Sequence, residues 1–247
     1  MSIANIICQG SSGYLLTDSG YFHPDGRLAF LRPKTLELPG LRVAIAARGH
    51  VYARENLGPM IAAASPSNQA ELLGMLPDLL LQAMANDGAF LKGDTPLWAA
   101  TTLYVVYYDQ QRGRTGGLIL SSSALGLPDD YEPFSYIPVT DVLAPGTDVD
   151  AALGRPVCLS DPHSFNVEQD GLAIAEAQRC EPWSFNGLPR AHYAAGEVRL
   201  TTVSSEGVVS CVIHSWQDRA NRKVIPSQRA INRASHVGSK PPLAAHP

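Results

Sequence analysis

The sequence predicts an α+β protein in which helices cover the outer faces of two packed antiparallel sheets. Two observations lead to this fold class. Short segments of β-forming residues dominate the first 50 residues, two helical segments follow, and strands, a further helix and a last hairpin complete the order. The chain has 247 residues with 45% hydrophobic content, enough to fill the core of such a layered domain.

The first 50 residues predict a run of hairpins, because each segment is short, apolar or alternating, and bounded by Gly, Pro or Asp. Turns are predicted at HPDGR and at LPG, whose residue types favour reversal of the chain. The predicted strands cover residues 2–8, 13–21, 28–34 and 41–49.

Residues 50–64 and 65–87 predict two successive helices. In the second, leucines recur at helical spacing, and Ser67 or Asn68 is placed to cap its N-terminus. Pro77 lies inside this pattern, so we expect it to kink or divide the helix.

The second half of the chain returns to strands. Residues 124–162 are rich in Pro, Asp and Gly and receive no assignment. Asn166 is placed to cap the third predicted helix. The predicted elements are a hairpin, this helix and a final hairpin, at residues 101–123, 166–180 and 197–216.

Charge divides the chain into an acidic body, residues 1–217, and a basic tail, residues 218–247. The whole chain has a net charge of −4, yet the tail carries six Lys or Arg residues against Asp218 alone. The tail lacks aromatic residues and is rich in Pro, Ser and Ala. We therefore expect a flexible, solvated extension and not a nucleic-acid-binding segment.

Composition argues against several classes of protein. No apolar run approaches the roughly 18 residues of a spanning helix, and the start lacks the basic and apolar regions of a secretory signal. We therefore expect a cytoplasmic protein with no membrane partner. The cysteines show no CxxC spacing and the histidines no HxH or HExxH spacing, so neither a zinc site nor a disulfide framework is predicted. Cys8, in a strand, is expected to be a core residue, and no motif indicates a cofactor.

Three residues near the start have a spacing that matters for catalysis. Asp18 and Lys34 lie 16 and 32 positions after Ser2. Here the chain resembles the N-terminal nucleophile (Ntn) hydrolases of the proteasome β-subunit type. Their motif is a first-residue Thr, Ser or Cys followed by an Asp and a Lys at these separations. The resemblance extends over residues 2–62, with Gly49 near the position of the family's turn glycine, and continues beyond as element order alone.

The resemblance implies a catalytic site in which Ser2, exposed by removal of Met1, is the nucleophile and its α-amine is the base. Lys34 would lower the pKa of that amine, which is ordinarily about 7.7 to 8, and Asp18 would hold Lys34 charged and oriented. The backbone N–H of Gly49 or of a neighbour would bind the oxyanion. A peptide or amide substrate and a homo-oligomeric ring or larger assembly are also implied.

Each of these residues also has an ordinary interpretation. Ser2 can be an unremarkable second residue, Asp18 can bond its own backbone in a turn, and Lys34 can be a solvated lysine before a loop. The family's supporting Ser and Asp residues have no single match. The alternatives are Ser121, Ser122 and Ser123 with Asp129, or Ser160 with Asp161.

The functional hypothesis is a proteasome-like amide hydrolase or peptidase. The alternative is a catalytically inactive protein of the same fold with a structural or interaction role in a larger assembly, for example a phage or prophage particle. A Ser/His/Asp hydrolase of another fold is disfavoured, because no GxSxG motif occurs.

Overall fold

Strands and helices alternate in blocks along the chain, as an α+β protein requires. The structure is a computed structural model that describes residues 3–49, 51–85, 100–124, 127–158, 161, 164–184 and 189–226. Within these ranges the strands are β1 Ala4–Gln9, β2 Ser12–Asp18, β3 Gly20–Phe22, β4 Leu28–Leu31, β5 Thr35–Leu38, β6 Val43–Arg48, β7 Thr102–Asp109, β8 Arg114–Ser121, β9 Tyr136–Val139, β10 Val142–Leu143, β11 Glu197–Ser204 and β12 Gly207–Ser215. The helices are α1 Val51–Ala64, α2 Gln69–Ala85, α3 Val149–Leu153 and α4 Val167–Cys180.

The strands form two five-stranded sheets and a separate hairpin. Sheet I has the order β10-β1-β2-β11-β12, sheet II has the order β5-β6-β7-β8-β9, and β3 pairs with β4. The pairings between these strands are all antiparallel. Sheet I places the β1–β2 hairpin beside the β11–β12 hairpin, because β2 pairs with β11 in the register Asp18 to Val198.

Buried apolar side chains join these elements in several groups, three of which connect the two sheets and the helices packed on them. The first joins α1 and α2 to sheet II and includes Leu57, Ile61, Leu72, Leu76 and Val105. The second lies between the two sheets and includes Ile6, Leu15, Ala44 and Val106. The third joins α4 to sheet I and includes Leu16, Ala175, Val198 and Leu200. Each large side chain buried in this way contributes roughly 1.5–3 kcal/mol.

The predicted hairpins of the first 50 residues are confirmed, with two differences. The predicted strand 13–21 is interrupted at Ser19, between β2 and β3. The predicted strand 28–34 ends at Leu31, and β5, which was not predicted, follows Lys34. Pro33 precedes β5 and lacks the N–H needed to continue a ladder. The chain therefore leaves the β3–β4 hairpin here and enters sheet II.

The three predicted helices are present as α1, α2 and α4. Asn68 Oδ1 accepts the N–H of Glu71 at 2.9 Å, as expected of the cap, and Asn166 accepts two N–H groups at the start of α4. Pro77 does not divide α2, which continues through it to Ala85. The short α3, in the stretch left unassigned, begins where Asp148 Oδ1 accepts the N–H of Ala151.

The predicted tail begins with residues that contact the body. Asp218 forms an ion pair with Arg179, both side chains being less than a tenth exposed. Val224 is buried beside Leu28 of β4. Residues from 227 onward lie outside the described ranges, so the flexible extension over residues 218–247 stays a prediction.

Candidate functional site

The two sheets meet where β2 ends and β5 begins. Thr17 of β2 and Thr35 of β5 are both buried, and their hydroxyl oxygens lie 3.4 Å apart. The next residue along β2 is Asp18, and the residue before β5 is Lys34. The end of β2 in sheet I and the start of β5 in sheet II therefore bring the Asp18 carboxylate and the Lys34 ammonium together.

Asp18 and Lys34 form a buried ion pair. Lys34 Nζ donates to Asp18 Oδ1 at 2.6 Å, and the side chains are 3% and 0% exposed. The interpretation of Lys34 as a solvated lysine is therefore wrong. The ammonium also lies 5.4 Å from the centre of the Tyr21 ring, within the range of a cation–π interaction.

Three backbone N–H groups complete the surroundings of the Asp18 carboxylate. Oδ1 accepts the N–H of Ile3 at 2.8 Å, and Oδ2 accepts those of Gly20 at 3.0 Å and Ala195 at 3.2 Å. The bond to Gly20 is the local turn contact considered as an alternative for Asp18, and it coexists with the ion pair to Lys34. A buried carboxylate with four donors is well satisfied and held in one orientation.

The β3–β4 hairpin forms one side of this site. Tyr21 stacks on Phe30 with ring centres 4.7 Å apart, and the Arg32 guanidinium lies 5.6 Å from the Phe30 ring centre. Arg32 also pairs with Glu55 of α1. Sequence reasoning missed Tyr21 and Phe30, because their contact depends on the pairing of β3 with β4 and no motif marks it.

Gly49 lies at the end of β6, in a conformation that only glycine adopts readily. Its φ is +117°, and a Cβ at this position would lie 2.0 Å from the carbonyl oxygen of Ala100. Steric constraints alone therefore account for a glycine here. The pairing of Thr35 with Ala46 places Lys34 and Gly49 at the same end of sheet II. The oxyanion role of Gly49 stays a prediction.

Of the other predicted site residues, some are described by the structure and others lie outside the described ranges. Ser121 and Ser122, at the end of β8, contact the start of β7: the Ser121 hydroxyl lies 3.0 Å from that of Thr102, and Ser122 Oγ accepts the N–H of Thr101 at 3.0 Å. Asp129 is exposed. Ser2 and Ser160 lie outside the described residues, so their predicted roles stay predictions.

Burial shifts the pKa values of several side chains elsewhere in the fold, Cys8 and His192 among them. Desolvation, with a smaller effect from Asp141, raises the pKa of the Cys8 thiol to about 11, and Cys8 is buried as predicted. Desolvation lowers the pKa of His192, whose Nδ1 lies 2.9 Å from the Arg179 carbonyl oxygen.

Neither a metal-binding cluster nor a membrane-spanning helix occurs within the described ranges. No three His, Cys, Asp or Glu side chains there lie close enough together to hold a metal ion. Of the helices that the structure describes, none is both long and apolar enough to cross a membrane.

Comparison with known proteins identifies similar folds. A mutant of Anbu from Hyphomicrobium sp. strain MC1 matches with a TM-score of 0.61 at 12% identity, covering 96% of this chain and 93% of that chain. The chain shares the fold of Anbu. A second Anbu structure from the same organism has a TM-score of 0.58 at 11% identity, covering 95% and 92% of the two chains.

Anbu from Yersinia bercovieri, described as an ancestral β-subunit, has a TM-score of 0.55 at 9% identity, covering 96% and 93%. At these identities the likeness to Anbu concerns the fold. It agrees at that level with the resemblance to proteasome β-subunits. No family model and no curated protein matches the chain.

Proposed function

We propose that this protein is a proteasome-like Ntn amide hydrolase or peptidase that uses Ser2 after removal of Met1. The observation that carries the proposal is the buried pair of Asp18 and Lys34, at 2.6 Å. The N–H of Ile3 donates to the same oxygen, Asp18 Oδ1, that pairs with Lys34. Only one peptide bond separates Ile3 from Ser2.

The chemistry follows from this arrangement. The Ser2 hydroxyl attacks the substrate carbonyl while the free α-amine takes its proton, and the C–N bond then breaks as that proton passes to the leaving amine. Water cleaves the resulting ester and regenerates the hydroxyl. The Lys34 ammonium favours the neutral, basic form of the α-amine, and Asp18 holds that ammonium in place.

The layered arrangement and the assembly are part of the same proposal. We propose that α1 and α2 cover the outer face of sheet II and that α3 and α4 cover the outer face of sheet I, giving a four-layer αββα sandwich. The packing of α1 and α2 on sheet II, and of α4 on sheet I, supports it.

The description of a fold neighbour as a β-subunit supports a homo-oligomer. Light scattering should then give a mass that is a multiple of 26.4 kDa.

The test is the intact mass of the purified protein before and after exposure to a β-lactone, which acylates hydroxyl nucleophiles. We expect loss of Met1 and one adduct on Ser2, formed by opening of the lactone ring. Lys34→Ala should abolish the adduct with the fold intact. Lys223→Ala, which removes an exposed lysine, is the matched control and should react like the wild type.

A negative result in this test would support the alternative hypothesis of an inactive protein. A retained Met1 and no adduct would indicate a catalytically inactive protein of the same fold, with a structural or interaction role.

A further inference from the structure

A second buried ion pair lies beside the first. Arg179 of α4 binds Asp218 through two bonds, Nη1 to Oδ2 at 2.8 Å and Nη2 to Oδ1 at 2.7 Å. The guanidinium also lies 4.4 Å from the ring centre of Trp216. A bidentate pair held against an aromatic face has one defined geometry.

This second pair holds both ends of a three-residue segment, residues 194–196. Arg179 Nη1 donates to the Ala194 carbonyl at 2.6 Å, and Asp218 Oδ2 accepts the Gly196 N–H at 2.9 Å. Between these contacts, the N–H of Ala195 donates to the other buried carboxylate, that of Asp18.

The segment has little freedom to move independently. The Ala195 carbonyl accepts the N–H of Ser19 at 3.2 Å, and Ser19 Oγ accepts the N–H of Glu197 at 2.8 Å. Gly196 has a φ of +80°, and a Cβ there would lie 2.3 Å from Ser19 Oγ. A shift of the segment would therefore be transmitted to Ser19 and its neighbour Asp18.

We infer that Arg179 and Asp218 are positioning residues, which orient Asp18 and Lys34 for catalysis through residues 194–196. This inference rests on the proposed function. Replacement of a buried ion pair by apolar residues is often neutral or stabilising, so stability alone is a weak reason for such a pair. Here both partners also bind the peptide groups that flank Ala195, which gives the pair a specific geometric role.

The test compares Asp218→Asn with Asp170→Asn. Asp170 pairs with Arg155 at 2.7 Å and lies on the same helix as Arg179, but it makes none of the described contacts to residues 194–196, so it is a matched control. Two readouts are measured: the amide hydrogen exchange rate of Ala195, and the rate of Ser2 acylation by the β-lactone as a function of pH.

We expect Asp218→Asn to raise the Ala195 exchange rate at least about tenfold and to lower Ser2 acylation at pH 7 by about tenfold, because small misplacements of catalytic groups are costly. The midpoint of the pH profile should move upward, since a displaced ammonium favours the neutral amine less. Asp170→Asn should change neither readout. Arg179→Lys, which keeps the charge and loses the bidentate contact, should act in the same direction as Asp218→Asn.

The two proposals fail in different ways. A wild-type protein that forms no Ser2 adduct refutes the proposed function and, with it, the catalytic positioning role of Arg179 and Asp218, whereas the outcomes below apply to a wild type that does form the adduct. Equal exchange rates and equal pH profiles in Asp218→Asn and Asp170→Asn would overturn the inference. An exchange rate raised only in Asp218→Asn, with an unchanged pH profile, would overturn the positioning role and leave a structural one.

Discussion

Asp18 is the residue at which three distant parts of the chain meet. Its carboxylate binds the N–H of Ile3 near the chain start, the ammonium of Lys34 and the N–H of Ala195 near the chain end. The sequence predicted Lys34 as a partner, through the resemblance that the spacing of Ser2, Asp18 and Lys34 carries, and it did not predict Ile3. It could not predict Ala195, because a backbone N–H can be supplied by almost any residue type and leaves no signature.

Loss of Asp18 should destabilise the protein more than loss of Lys34. Asp18→Ala leaves a buried ammonium and three N–H groups without this acceptor, so we expect a loss of about 3–5 kcal/mol. Lys34→Ala should cost less, because Asp18 keeps its three backbone donors. Urea unfolding of both variants measures the difference. A larger loss for Lys34→Ala would contradict this account.

His192 should make the protein less stable in mild acid. Desolvation lowers the pKa of His192 below its ordinary value of about 6.5 in the unfolded chain. On acidification the unfolded state therefore binds the proton first, so the stabilising contribution is complete above about pH 6.5 and is lost as pH falls through the folded pKa. In His192→Gln, the free energy of unfolding, measured with urea, should fall less than in the wild type as the pH is lowered from 7.5 to 5. His23→Gln, at an exposed position, should retain the slope of the wild type.

At the scale of elements, prediction succeeded where a pattern was long and regular. The strands β7, β8, β11 and β12 and the helices α2 and α4 were identified from periodicity and caps. The missed elements, β5, β9, β10 and α3, have two to five residues each. Elements this short have no resolvable period, and pairing with β6 defines β5 as a strand.

A reciprocal amide pair docks α4 on sheet I and should stabilise it. Asn5 Nδ2 donates to Gln178 Oε1 at 2.8 Å, and Gln178 Nε2 donates to Asn5 Oδ1 at 2.9 Å, with both residues buried. Gln178→Leu should cost about 1–3 kcal/mol, because Asn5 loses this partner. Gln169→Leu, at an exposed position on the same helix, should be nearly neutral in chemical unfolding.

The double variant Asn5→Leu with Gln178→Leu completes the test. It should recover part of the loss, since neither polar group then remains buried alone. Strictly additive losses would show that the two amides do not interact.

At the scale of the whole molecule, the packing of the two sheets should control thiol reactivity. Cys8 lies in the group of side chains between the sheets, with a pKa raised to about 11, whereas Cys158 and Cys211 are exposed. Because the thiolate is the reactive form, iodoacetamide at pH 7.5 should label Cys158 and Cys211 in the folded protein. Cys8 should react only after unfolding in urea. Peptide mapping measures this, and labelling of Cys8 in the native state would argue against the packed sheets.

The sequence by itself determined the α+β class, most of the strands, three of the four described α-helices and the spacing of Ser2, Asp18 and Lys34. Local periodicity, caps, turn residues and motif spacing are properties of the chain, so they can be read without coordinates. Tertiary structure decided that Lys34 is buried against Asp18, and that Arg179 with Asp218 holds the segment bound to Asp18. These contacts join residues as far as 177 positions apart. Partners this distant are brought together by the pairing of strands and the packing of sheets, which no local pattern encodes.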